Sequence, residues 1–225
     1  MQMKNLMVAS AAALFASAGS AFAFVPWANP SGNGSNFAWD NGGSDNGLFG
    51  SPTLVNGDTF VFFPQNFRAE STNGVAASVG DRLQFDIIVN TGFFLSGIRI
   101  AEFGDYGIVG QGGSVGAGGT LFVTNLNTFD VRFDDILTTP GSPINTPGFG
   151  NWRGDANVDL SDASPQWTRV RVVLNNNLFA VSTPDGVAFI EKKVFGSGIA
   201  IQIVPAPGSA GVLALAGLVA IRRRR

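Results

Sequence analysis

The feature that most constrains the fold of this chain is a period-two alternation of apolar and polar side chains. Over residues 82–89, Leu83, Phe85, Ile87 and Val89 fall on one face of an extended chain, and the polar side chains of the run fall on the other. A period of two is that of a β-strand with one buried face. The pattern predicts a strand of an antiparallel sheet.

Strand signals of this kind recur along the chain and are separated by turn-forming residues. The strand signals lie at 59–63, 82–90, 97–103, 120–125, 129–133, 166–174, 178–182, 187–192 and 198–204. The turn signals are Asn56-Gly57, Asn73-Gly74, Gly80-Asp81 and Pro184-Asp185-Gly186. No long window between 24 and 203 has a helical period. We therefore predict a single all-β domain over 24–203, an antiparallel β-sandwich or jelly roll.

Three stretches interrupt this rhythm. Residues 29–50 are rich in Gly, Asn and Ser and are predicted to wrap loosely over the sandwich. Residues 104–119 contain eight glycines and are predicted to form a flexible loop or an edge region. Residues 140–165 are predicted to be a long irregular insertion, and loops of that length in compact domains are usually functional or disordered.

The first 23 residues have the pattern of a secretory signal peptide. Lys4 is the only charge, Leu6 to Ala18 form a short apolar run, and Ala21-Phe22-Ala23 places small residues before a cleavage point at Phe24. We predict a signal helix over 1–23 that is removed by signal peptidase during export. An uncleaved membrane anchor is the alternative.

The C-terminal residues 204–225 combine a proline motif, a short apolar stretch and a cluster of arginines. The motif is Val204-Pro205-Ala206-Pro207-Gly208, and the cluster is Arg222, Arg223, Arg224 and Arg225. The residues between them carry no charge and predict a hydrophobic helix whose arginine end stays in the cytoplasm. A buried core helix is the alternative.

This tail resembles the PEP-CTERM sorting signal of bacterial surface proteins, in its planctomycete-type Pro-Ala-Pro-Gly variant. The same pattern is also labelled an ice-binding protein C-terminal domain. The resemblance implies export, temporary anchoring of the tail in the inner membrane as a transmembrane helix, and recognition by an exosortase that cleaves near the proline motif. The protein would then reside at the cell surface or in the extracellular matrix, among exopolysaccharide.

Composition excludes several kinds of chemistry. The chain has no cysteine and no histidine, so it lacks disulfides, thiolate ligands and the commonest general base. Nine basic and sixteen acidic residues lie between 24 and 203, which gives the body a formal charge of −7. Nucleic acid is therefore not an expected partner. Acids such as Asp86, Glu102 and Asp105 show no spacing that singles out a catalytic pair.

One acidic segment has the spacing of a calcium-binding loop. Asp155, Asn157 and Asp159 occupy positions one, three and five of such a loop, and oxygen ligands are those that calcium prefers. Leu160 stands where the loop glycine would be, and Gln166 stands where a bidentate acid would be. The segment predicts either a degenerate calcium site over 155–162 or an ordinary surface turn rich in Asp and Asn.

Tryptophans in predicted loops are candidates for contact with sugars. Trp39 and Trp152 fall in such loops, and their rings are able to stack on the apolar faces of sugars. Packing in the core is the alternative for both. Taken together, the sequence predicts an exported, non-catalytic surface or matrix protein sorted and processed by an exosortase. The alternative function is a carbohydrate-binding or calcium-assisted adhesion module, and an enzyme is disfavoured.

Overall fold

The computed structural model describes residues 24–193 and 198–208, which form two antiparallel β-sheets packed as a sandwich. In chain order the strands are β1 (Val25–Pro26), β2 (Gly32–Asn33), β3 (Phe37–Ser44), β4 (Thr53–Val55), β5 (Thr59–Phe62), β6 (Arg68–Thr72), β7 (Ala77–Val89), β8 (Phe93–Val109), β9 (Ser114–Asn125), β10 (Val131–Asp135), β11 (Leu137–Thr139), β12 (Gly148–Asp159), β13 (Arg169–Val181), β14 (Val187–Lys192) and β15 (Ile199–Pro207). The predicted antiparallel sandwich is confirmed. The two predicted terminal helices lie outside the described residues.

The strands divide between two sheets. Sheet I has seven strands in the order β1-β3-β7-β13-β9-β10, with β2 paired to β3. Sheet II has eight strands in the order β11-β12-β8-β15-β5-β4, and β14 pairs with both β8 and β6. The 17-residue β8 is long enough to pair with β12 on one side and with β15 and then β14 on the other. Sheet II is thus organised around β8.

The alternation seen in the sequence determines which face of each strand is buried. The apolar positions of β7, β13 and β15 that alternate with polar ones are fully buried between the sheets: Leu83, Phe85, Ile87, Val170, Val172, Leu174, Ile199, Ile201 and Ile203. Polar side chains between them point outward. Because a shift of one residue would expose every apolar side chain of a strand, this pattern also fixes the register of the sheets.

Aromatic side chains fill one end of the core. The Trp27 ring lies 5.4 Å from the Phe85 ring and 5.5 Å from the Phe62 ring, measured between centroids. Phe37 and Phe49, both from the stretch 29–50, are buried in the same cluster. The prediction that this stretch wraps loosely is therefore wrong, because its aromatic side chains belong to the core and β3 within it pairs with β7.

The glycine-rich stretch 104–119 is also strand rather than a flexible loop, with β8 and β9 joined by a short turn. The reason lies in aromatic rings that cover the glycine backbone. A Cβ atom on Gly104 would lie 2.2 Å from Trp152 Nε1, and one on Gly116 would lie 2.3 Å from the Phe179 ring. These glycines make room for a neighbouring ring within the sheet.

The predicted irregular insertion over 140–165 contains the twelve-residue strand β12. It pairs with β8 without interruption from Gly148 to Asp159. Gly and Asn are frequent in this strand, so its sequence lacks the usual strand composition. Pairing with the long β8 holds it in an extended conformation.

Two of the predicted turns are confirmed in detail. Asn56-Gly57 and Asn73-Gly74 each have two consecutive positive φ angles, 53° and 74° in the first and 53° and 79° in the second, as tight hairpin turns require. Pro184-Asp185-Gly186 also forms a turn, between β13 and β14. Gly80-Asp81 does not, because it lies inside β7, where the Asp81 carboxylate accepts hydrogen bonds from the backbone of Asn46 and Leu48 at 2.8 Å.

The last strand extends four residues beyond the predicted end of the body at 203. After a register shift at Val204/Pro205, β15 continues its pairing with β8 as far as Pro207, opposite Phe93. Ser96 Oγ donates a hydrogen bond to the Val204 carbonyl at 2.8 Å. The first residues of the predicted sorting signal are therefore part of the sandwich.

Candidate functional site

The outer face of sheet II carries an open groove of about 830 Å³ across β12, β8 and β15. It follows from the alternation on these strands, which points Ile98 and Ile100 inward and therefore points Arg99 and Ala101 outward. Ala101 lies between Asp155 of β12 and Ala200 of β15 in the sheet register. Two adjacent alanines give the groove a low floor.

Rows of larger side chains border this floor on both sides. On one side Arg99 lies between Asn157 and Gln202, and on the other Arg153 lies beside Phe103. Both rows are two residues from Ala101 along β8, so they stand about 13 Å apart at the rise of a β-strand. The groove thus runs across the strands between these two borders.

An ion pair at the edge of the groove holds Arg153 in place. Arg153 Nε donates to Asp155 Oδ2 at 2.7 Å, and Arg153 Nη2 donates to Asp155 Oδ1 at 2.5 Å. The hydrogen bonds to Asp155 and its charge raise the pKa of Arg153 above the ordinary value. The guanidinium also lies 5.3 Å from the centre of the Phe103 ring. Such a bidentate pair is more ordered than a single-contact surface ion pair.

The predicted calcium-binding segment is not a loop. Asp155, Asn157 and Asp159 lie at alternate positions on β12, so their side chains point the same way but stand about 7 Å apart along the strand. Asp155 is paired with Arg153, and Asp159 Oδ1 accepts a hydrogen bond from the Ser161 backbone at 2.9 Å. Bonds from Ser161 lower the pKa of Asp159. These oxygens do not converge on one ion, and residues 24–193 and 198–208 contain no cluster of three acids suited to a metal.

Of the two tryptophans predicted to contact sugars, Trp152 is buried and Trp39 is partly buried. Trp152 is 2% exposed and lies between the sheets, with its Nε1 donating to the Glu191 carbonyl at 3.1 Å. Trp39 is partly buried on β3, with its ring 5.2 Å from the Phe60 ring and over the backbone of Gly32. Trp152 follows the packing alternative because it occupies an inward position of β12, and the partly buried Trp39 packs against the core.

The acids considered for catalysis lie in three different parts of the sandwich. Glu102 is buried between the sheets, and Asp105 lies on the outer face of sheet II with Lys193 Nζ at 3.3 Å. Asp86 lies on sheet I and accepts two hydrogen bonds from Arg171, at 2.8 and 3.0 Å. Burial opposes its ionisation, but the bonds from Arg171 and Asn41 outweigh burial and lower the pKa of Asp86. No two of the three face each other across a cleft.

The groove residues Arg99, Arg153 and Gln202 were not predicted from the sequence. A usable signal was present on β8, because alternation over the predicted strand 97–103 places Arg99, Ala101 and Phe103 on one face. Arg153 was missed because β12 was predicted to be irregular. The sorting residues Val204, Pro205, Ala206 and Pro207 lie on β15. Arg222 to Arg225 lie outside the described residues.

The described part of the chain has no helix with the length and apolarity needed to cross a membrane. No protein-family model matches the chain, and a search of curated proteins finds no match.

Three solved structures show distant likeness to the chain. The carbohydrate-binding module TmCBM61 in complex with β-1,4-galactotriose is 10% identical, with 79% of this chain and 97% of that chain covered and a TM-score of 0.25. Carbohydrate-binding modules from the β-sandwich superfamily are 9% identical, covering 64% and 58%, with a TM-score of 0.24. A protein of infectious bursal disease virus, Gx strain, is 7% identical, covering 69% and 45%, with a TM-score of 0.26. At these TM-scores none of the three bears on what the groove binds.

Proposed function

We propose that this protein is an exported, non-catalytic surface or extracellular-matrix protein whose groove on sheet II binds polysaccharide. The observation that carries the proposal is the composition of the groove, in which both hydrogen-bond donors and hydrogen-bond acceptors lie around a floor of small side chains. Arg99 and Arg153 donate, Asp155 accepts, and the amides of Asn157 and Gln202 do both. A ligand rich in hydroxyl groups, each a donor and an acceptor, matches such a surface.

The charge of the groove favours a neutral ligand. Two arginines, Arg99 and Arg153, are balanced by two acids, Asp134 and Asp155. A site for phosphate or sulfate chains needs an excess of cations, and the acidic body around the groove would repel such chains. The groove is also open at its surface, which suits a polymer that continues past the site on both sides.

The carboxylates of the groove support binding rather than hydrolysis. Asp155 is held in its ion pair with Arg153, and Asp134 Oδ2 accepts a hydrogen bond from the Asn157 backbone at 2.7 Å. Glycoside hydrolysis uses one protonated and one ionised carboxyl group facing each other across the bond that is cleaved. Both groove acids serve as acceptors for groups of the protein itself.

An array of neutral polysaccharides and oligosaccharides, probed with the full chain, tests this function. We expect binding that falls about fivefold in Arg99→Ala and in Asn157→Ala, since each loses a ligand hydrogen bond of about 1 kcal/mol. Ala101→Trp fills the floor and is expected to abolish binding. Arg82→Ala, an exposed arginine on sheet I that bonds Gln84 at 2.7 Å, is the matched control.

Two results would overturn the polysaccharide proposal. One is an array on which the wild-type protein binds nothing. The other is binding that Ala101→Trp leaves at the wild-type level while the variant keeps its wild-type melting temperature.

For the two ends of the chain we propose the sorting route that the sequence indicates. The N-terminal segment 1–23 directs export and is removed by signal peptidase, and the tail 204–225 holds the protein in the inner membrane until an exosortase processes it. The body then lies outside the cytoplasm, at the surface or in the matrix. There it would meet the polysaccharide that the groove binds.

Truncation at two positions separates sorting from folding. A chain ending at Gly208 keeps all of β15 and is expected to be released into the medium with its wild-type melting temperature. A chain ending at Ile203 also loses the part of β15 that pairs with Phe93 and Leu95, and we expect it to melt at a lower temperature. Cell fractionation measures where each product is found, and thermal unfolding measures its melting temperature. Surface retention of the chain ending at Gly208 would contradict the sorting role of the tail.

A further inference from the structure

Three polar side chains meet in the interior between the two sheets. Lys192 of β14 and Glu102 of β8 are fully buried, and Asn176 of β13 is 3% exposed. Lys192 Nζ donates to Glu102 Oε2 at 2.6 Å, and Asn176 Nδ2 donates to the same oxygen at 2.5 Å. Because both nitrogens contact one oxygen, the amine of Lys192 lies next to the side-chain amide of Asn176.

Aromatic rings and tightly packed backbone surround this cluster. Lys192 Nζ lies 5.1 Å from the centre of the Phe67 ring and 5.0 Å from that of Trp152. A Cβ atom on Gly154 would lie 2.9 Å from Glu102 Cγ, so the backbone of β12 closes the site from that side. Burial lowers the pKa of Lys192, although the charge and hydrogen bond of Glu102 oppose the shift. A desolvated, uncharged lysine amine is a nucleophile.

Two atoms of the cluster are buried without a hydrogen-bond partner among the described residues. They are Glu102 Oε1 and Asn176 Oδ1. Such atoms are costly in a folded protein and call for an explanation. A proton on Glu102 that is donated to Asn176 Oδ1 would satisfy an atom of each residue. The same hydrogen bond would polarise the Asn176 carbonyl and make its Cγ more electrophilic.

We propose that Lys192 and Asn176 condense to form an intramolecular isopeptide bond, with Glu102 as the catalytic group that transfers the protons. A nucleophile, an electrophile and a proton carrier are held together in a site that excludes water. Because the fold already holds the reactants together, the reaction avoids the entropy cost of bringing them into contact. The arrangement needs no further component.

The reaction balances within these three side chains. Uncharged Lys192 Nζ attacks Asn176 Cγ while Glu102 gives its proton to the amide, and the bond between Nζ and Cγ forms. Glu102 takes a proton from Nζ and passes it to Nδ2, the bond between Cγ and Nδ2 breaks, and ammonia leaves. As the carbonyl re-forms, its oxygen returns the first proton to Glu102, which therefore ends as it began. No oxidant, reductant or cofactor takes part.

The product would join the two sheets covalently. Lys192 lies on β14 of sheet II and Asn176 on the central strand β13 of sheet I, so the bond would cross the core. The chain contains no cysteine, so disulfides cannot cross-link it. A protein that stays outside the cell would gain resistance to unfolding from such a link.

Mass spectrometry of the denatured full chain tests the proposal. We expect a mass lower than the sequence mass by one molecule of ammonia. Digestion with trypsin and with a protease that cuts before Asp185 should leave the peptides 172–184 and 185–193 joined, because the new bond spans the cut. Trypsin should also fail to cut after Lys192, whose amine is now an amide.

Variants and cleavage at Asp185 distinguish formation of this bond from other reactions that release ammonia. Asn176 could also lose ammonia by forming a succinimide, but the two peptides would then separate after cleavage at Asp185. Glu102→Gln should keep the full mass, since glutamine cannot carry the protons, and Lys192→Arg should keep it as well. Asn177→Ala and Lys193→Ala alter outward-facing neighbours and should retain the loss of ammonia. A wild-type chain with its full mass, or a mass loss that persists in Lys192→Arg, would overturn the proposal.

Discussion

Replacing Lys192 with alanine is expected to lower the free energy of unfolding by about 3–5 kcal/mol, because it removes one partner of a buried ion pair. The partner Glu102 would be left fully buried with no cation beside it. If Lys192 is joined to Asn176 as proposed, its nitrogen is an uncharged amide, and the loss then comes from opening a covalent loop of about 15 residues, which is worth about 3 kcal/mol. This is one of the two largest single-substitution effects that we expect in the chain.

Denaturation by guanidinium chloride, followed by tryptophan fluorescence, measures the effect. Lys193→Ala is the matched control, because Lys193 is the next residue and forms an exposed ion pair with Asp105 at 3.3 Å. An exposed pair contributes about 0–1 kcal/mol. Equal stabilities for the two alanine variants would show that the buried cluster does not stabilise the fold.

Replacing Trp152 with alanine is the second large effect, with an expected loss of about 3–5 kcal/mol from the cavity that it leaves. Trp152 is buried between the sheets, its ring covers Gly104, and it forms one wall around the Lys192 amine. Because it does not line the groove, the folded fraction of the variant should bind polysaccharide as the wild type does.

Phe149→Ala provides the control for Trp152. Phe149 lies on the same strand but points outward and is 74% exposed, so its loss should change stability by less than about 0.5 kcal/mol. Thermal unfolding and binding of both variants to the same glycan complete the comparison. A Trp152→Ala protein that is stable but no longer binds would restore the prediction that this tryptophan contacts sugar.

The sequence predicted the sandwich because its strands keep a strict alternation. Positions such as Leu83 and Phe85 leave only one way to bury the apolar face of a strand. Strand β12 was not predicted, because its inward side includes Gly150 and Gly154, which have no apolar side chain to contribute to the alternation. Glycine fits at these two positions because the side chains of Tyr106 on β8 and of Ile136, between β10 and β11, occupy the space above them.

The groove depends on residues that are distant in sequence. Ala101, Asp155 and Ala200 become neighbours only through the registers of β12 and β15 on β8. Alternation within one strand indicates which side chains face outward, but not which strands lie next to each other. The sequence therefore predicts individual outward-facing residues of the groove, but not that they come together.

The buried cluster left a clearer trace in the sequence. Lys192 continues the inward series of Ala188 and Ile190, and Glu102 continues that of Ile98 and Ile100. A polar residue at an inward position of a predicted strand indicates a buried network, since buried charges need partners. Identifying these partners required knowing how one sheet packs on the other.

The most direct test that the groove binds polysaccharide is a crystal structure of the protein with the oligosaccharide that binds best on the array. We predict sugar rings over Ala101 and Ala200, with their hydroxyl groups hydrogen-bonded to Arg99 and Arg153. A sugar bound on sheet I or at the edges of the strands, with the groove left empty, would contradict this assignment.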